Sequence, residues 1–186
     1  MFRRLAPGLA LTATVIAPLS AAHVLADAAP VPLCRDAPGE AAAPASPSPE
    51  LVEELIRWIG AESGYDTALA LRERPEIAFC LTGEAVDYDN EDMLVEENML
   101  GAYDLANTRV FLVRPWSAED KRQVSVLLHE LVHHVQFLNR DFECLQAAEW
   151  EAYQLQAKWL AGRGVEPGFD WLHIYFLSRC PRDIHP

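Results

Sequence analysis

His129-Glu130-Leu131-Val132-His133-His134-Val135-Gln136 lies in the middle of an apolar-periodic run and sets the frame for everything around it. Val124, Leu127, Leu128, Leu131 and Val135 recur at helical spacing and form one stripe. Val126, Val132 and Phe137 flank the other side, where His129 and His133 lie. A helix that is apolar nearly all round is buried, so these two histidines face a covered cleft. Residues four apart sit about 40° apart around a helix axis, close enough for both imidazoles to grip one ion. This is H-E-x-x-H spacing: neutral imidazole suits zinc, and Glu130 is placed to act as general base on a water at the metal. His134 points about 100° away from His133, toward the apolar stripe, and reads as a hydrogen-bonded structural residue. Ser117 is the expected N-cap, with Asp120 in place of the Glu of a capping box, and the helix is expected to run to about Leu138.

A catalytic zinc site needs a third protein ligand and an open position. Gln136 and Asn139 stand where a longer histidine motif would continue, so the ligand must come from elsewhere. The next helix, expected over about 145–161 and ended by Gly162 and Gly164, offers Glu149 and Glu151. These lie about 200° apart around the axis and cannot both reach one ion. Glu149 shares its side with Tyr153 and Leu160, whereas Glu151 shares its side with Gln154 and Lys158. A buried carboxylate needs a partner such as a metal, so Glu149 is the candidate and Glu151 is expected on a wetter face, dispensable for holding zinc. Tyr153 and Tyr103 are candidates for supporting a transition state or the metal ligands, with packing the competing role. His173 and the tryptophans Trp116, Trp150, Trp159 and Trp171 read as fill.

His129-Glu130-x-x-His133, followed a helix later by Glu149-x-Glu151-Ala152-Tyr153, resembles the gluzincin clan of zinc metallopeptidases. The stretch from Gly101-Ala102-Tyr103-Asp104 onward is also similar to small secreted bacterial proteins carrying H-E-L-V-H-H. The resemblance covers about residues 100–160. It implies a metallopeptidase-like domain with Glu149 as third ligand. Tyr153 stands where many members of the clan have Asp, so the partner that would orient a ligand is not given by the likeness.

The chain has 186 residues, 51% hydrophobic and 23% charged, which is globular composition. Its 28 acidic against 15 basic residues give a net charge of -13, a surface that repels phosphate backbones and argues against nucleic-acid binding. Arg3 and Arg4, an apolar run from Leu5 to Leu19, and Ser20, Ala21, Ala22, Ala26 and Ala28 follow the order of a secretory signal. Residues 1–26 are the expected signal peptide, with cleavage possible after 28, and residues 27–49 a Pro/Ala-rich linker. The expected location is periplasmic or secreted, without stable membrane insertion after cleavage. Cys34, Cys80, Cys144 and Cys180 then favour two disulfides in one of three connectivities, with Cys34–Cys80 and Cys144–Cys180 preferred because each pair ties neighbouring parts of the chain.

Residues 50–186 form the expected domain. Leu51, Leu55, Trp58 and Ile59 predict a helix over 50–60, and 76–81 reads as a strand. Residues 101–113 read as a hairpin turning at 105–108. The acidic stretch 87–97 reads as a solvated loop, because Asp92 and Asn98 stand where a calcium loop needs Gly and Glu. Asp170 is expected to cap a last helix through Arg179. The fold class is α+β, a short antiparallel sheet or hairpin packed on the histidine helix and the following ligand helix. The functional reading is a hydrolase with one zinc per chain, acting on a peptide or protein substrate with Glu130 as base. The alternative is a non-catalytic secreted zinc-binding or interaction domain.

Overall fold

The computed structural model describes residues 46–181. The expected leader, its cleavage site, Cys34 and most of the linker lie outside them. Helix α1, Pro49–Ser63, starts where the Ser48 side chain accepts the amide of Leu51 and stops at Gly64, which takes φ 79°. Its Val52, Leu55, Ile56 and Ile59 are buried, the face that the apolar spacing predicts. A short α2, Ala68–Arg72, follows.

Five strands come next: β1 (Glu76–Cys80), β2 (Ala85–Tyr88), β3 (Glu91–Leu94), β4 (Gly101–Asp104) and β5 (Arg109–Val113). The expected hairpin is β4 and β5, antiparallel, with Tyr103 opposite Val110. Strand β1 adds in parallel on the far side of β5, giving the order β1-β5-β4. The sheet is therefore mixed, and β4 is its edge. The acidic stretch is a second hairpin, β2 with β3, and not a loop. Val86 is buried beneath it while Asp87 points out, and Asp89 and Asn90 turn the chain at φ 55° and 63°. Asp and Asn tolerate that left-handed turn geometry, and the acidic side chains are the outward half of an alternating pattern.

Helix α3, Lys121–Asn139, is the centre of the molecule. Its N-cap is Asp120, whose carboxylate accepts the amides of Arg122 and Gln123. Ser117, the expected cap, lies earlier and has its own amide held by Gln123 Oε1. Leu127, Leu128, Leu131, Val132 and Val135 have no exposure and pack against α1, Val110 and Leu112 of β5, and α4 (Glu149–Ala161), which follows a 3-10 turn at Leu145–Ala148. Helix α5, Trp171–Leu177, is capped by Asp170 as expected but ends short of Arg179. Only its Ile174 is buried, so His173 is exposed and not core. An apolar composition misleads there because a seven-residue surface helix buries one side chain, lays Trp171 and Tyr175 edge-on to Trp150, and is otherwise held by a covalent tether. That tether is the Cys144–Cys180 disulfide. Cys80 is also disulfide-bonded; Cys34, its expected partner, lies outside the described residues. Among the described residues no helix is long and apolar enough to cross a membrane.

Candidate metal centre

His129 and His133 leave the same face of α3 one turn apart, and α4 crosses that face with Glu149 at its first turn. His129 Nε2 and His133 Nε2 lie 3.1 Å apart. Glu149 Oε2 is 3.2 Å from His129 Nε2, and Oε1 is 3.4 Å from His133 Nε2. The three side chains form a group that could hold a metal ion. Burial does not separate the two carboxylates of α4, since the side chains of Glu149 and Glu151 are 31% and 32% exposed. Direction does. Glu151 Oε2 instead accepts from the Tyr65 hydroxyl at 2.7 Å, Gln136 Nε2 at 2.9 Å and Arg140 at 3.0 Å. The face expected to be wet abuts the connection between α1 and α2, with Lys158 paired to Glu62. Glu151 thus stands apart from the metal group, but it is tied into the structure and does not lie on the wetter face expected of it.

Both Nδ1 atoms are also occupied. His129 Nδ1 lies 3.1 Å from Gln156 Oε1, and His133 Nδ1 lies 3.1 Å from Gln136 Oε1. Sequence reasoning missed these glutamines. The available signals were position: Gln136 follows His133 by three, and Gln156 follows Glu149 by two helical turns on a buried face.

A cavity of about 500 Å³ opens over the group. Its wall includes Tyr88, Met99, Gly101, Phe137, Tyr153 and Phe169, and among the described residues no Lys or Arg lines it. Glu130 lies in this wall and is itself buried. Edge strand β4 passes so close that a Cβ on Gly101 would stand 2.9 Å from Glu130 Oε1. Burial raises the proton affinity of Glu130, reinforced by Glu149 and opposed by the histidines. Burial would also raise Glu149, but when the His129 and His133 rings are charged their hydrogen bonds outweigh it and hold that carboxyl well below the usual range. His133 goes the other way: burial disfavours its charge, yet Glu149 and Glu130 together raise its pKa.

The two tyrosine candidates separate. Tyr153 stands edge-on to His129, with ring centroids 4.5 Å apart, and burial and the charges of Glu149 and Glu130 keep its phenol protonated. Tyr103 also lines the cavity, but its hydroxyl shares a 3.1 Å hydrogen bond with His134 Nδ1 in the core. His134 has no exposure and is the structural residue that its direction on the helix predicts.

Residues 44–186 match the family described as a domain of unknown function, DUF6647, and the chain belongs to that family. No curated protein and no solved structure matches the chain.

Proposed function

We propose that this member of a family of undescribed function is an exported zinc-dependent peptide hydrolase, with His129, His133 and Glu149 holding one ion. The observation that carries the reading is the donor geometry. Tetrahedral zinc with ligand bonds of roughly 2.0–2.1 Å requires ligand atoms about 3.3 Å apart. The two Nε2 atoms stand 3.1 Å apart, with one Glu149 oxygen 3.2 Å from His129 Nε2 and the other 3.4 Å from His133 Nε2. With both Nδ1 atoms facing amide oxygens, the two Nε2 lone pairs and a carboxylate converge, an arrangement that a cation relieves. When bound, zinc supplies a Lewis acid that acidifies water and polarises a carbonyl.

The chain's own residues do the rest. Glu130 is buried in the cavity wall, and that burial raises its proton affinity, the direction that favours a general base. It accepts a proton from the attacking water at its carboxylate and delivers that proton to the leaving nitrogen. Tyr153, edge-on to His129 in the cavity wall, keeps its proton and would donate a hydrogen bond to the oxygen that gains charge. Among the described residues the wall contains no Lys or Arg to claim a terminal carboxylate.

Glu130→Gln tests this. The variant keeps size and hydrogen bonding but cannot take the proton. Zinc content and stability are expected to match wild type while turnover of a peptide library falls roughly 10²-fold or more. A zinc-loaded wild type that cleaves nothing in a diverse library would shift the assignment to a secreted zinc-binding domain without catalysis.

A further inference from the structure

The two glutamines that contact the histidines are not free to turn their amides over. Gln136 Nε2 faces Ala148 O at 3.1 Å and Glu151 Oε2 at 2.9 Å. Both are acceptors only, so the amide must present its NH₂ group to them. Its oxygen is then left for His133, and Nδ1 of that ring must carry the proton. Gln156 reaches the same result by another route. The single hydroxyl proton of Ser125 goes to Arg122 O at 2.7 Å. Ser125 Oγ therefore accepts from Gln156 Nε2 at 3.0 Å, and Gln156 Oε1 is left for His129 Nδ1. Each chain of hydrogen bonds ends on a group that cannot donate. Each also crosses between helices: Gln136 of α3 holds Ala148 and Glu151, while Gln156 of α4 holds Ser125.

We propose that Gln136 and Gln156 are positioning residues that lock both imidazoles as Nδ1–H tautomers aimed at one metal ion, with Glu151 and Ser125 as their anchors. The inference rests on the metal-site reading above. It also fills the place left open by Tyr153, since a pair of neutral amides does the orienting here. Metal-ligating histidines need such partners, and removing one commonly weakens affinity roughly 10- to 100-fold.

Two measurements test it. The first uses metal-free full-length protein with ¹⁵N-labelled histidine, at a pH where both rings are neutral. Long-range ¹H–¹⁵N NMR is expected to show the proton on Nδ1 in His129 and His133. In Gln136→Leu and Gln156→Leu the corresponding ring is expected to lose that preference. Nε2–H rings in wild type would overturn the proposal. The second is zinc affinity by chelator competition. Gln156→Leu is expected to lose roughly 10- to 100-fold, whereas Gln156→Glu, which can still accept from Nδ1, stays within about threefold of wild type. Glu151→Ala should lose less than Gln136→Leu, because Ala148 O still fixes the amide. Equal affinities for Gln156→Leu and wild type would overturn the proposal. A wild type that binds no zinc at all but shows both Nδ1–H tautomers would defeat the metal reading and leave the tautomer lock standing.

Discussion

Gly101 is where the edge of the sheet and the proposed base compete for the same space. A methyl group there would meet Glu130 Oε1 and Val126 Cγ1 at 2.9 Å each, closer than carbon contacts allow. Glu130 is the more yielding neighbour, so Gly101→Ala is expected to displace its carboxylate. Turnover should drop by roughly 10- to 100-fold, the scale of a misplacement near 1 Å, with zinc content unchanged. Peptide-library kinetics beside metal analysis check this. The fate of the other site residues shows what spacing conveys. His129, Glu130 and His133 are within one helical turn and Glu149 has its direction set by α4, so their convergence is legible from sequence. Gln136, Gln156 and Ser125 are not, because their roles depend on how α4 lies across α3.

At the scale of elements, α4 is held at both sides of its first turn. On one side, Tyr65 donates to Glu151 from the connection between α1 and α2, and burial with that bond raises its phenol from about 10 to about 12. The folded chain therefore keeps this proton while the unfolded chain loses it. The contribution is whole below about pH 10 and is lost as pH climbs toward 12. Denaturant midpoints between pH 9 and 11 are expected to fall less steeply for Tyr65→Phe than for wild type. On the other side, the Cys144–Cys180 bond closes a loop 36 residues long. A cross-link over that length is worth about 3–4 kcal/mol, so the double Cys144→Ala/Cys180→Ala variant should lose stability on that scale in urea titrations. Elements with helical periodicity, α1, α3 and α4, could be read directly. The β2–β3 hairpin could not, since its acidic outer face hides the inward Val86.

For the molecule as a whole, the α+β class follows from a sheet feeding helices, whereas the mixed strand order does not. Nothing local in Glu76 marks Arg109, far along the chain, as its partner. The placement of the histidines has a consequence for how metal and fold depend on each other. They sit on α3, the helix that α1, the sheet and α4 all pack against. Opening the site therefore means breaking the best-protected part of the structure. Unlike a zinc finger, which collapses into order around its ion, this chain packs α3 against α1, the sheet and α4 through apolar side chains away from the proposed ligands. Chelation should leave the far-ultraviolet circular dichroism spectrum intact and lower the melting temperature only by the mass-action share of binding. Amide hydrogens along 124–136 should remain the slowest to exchange in the stripped protein. On the proposed reading, such a scaffold sheds and reacquires an ion without unfolding, so metal exchange and folding are separate events.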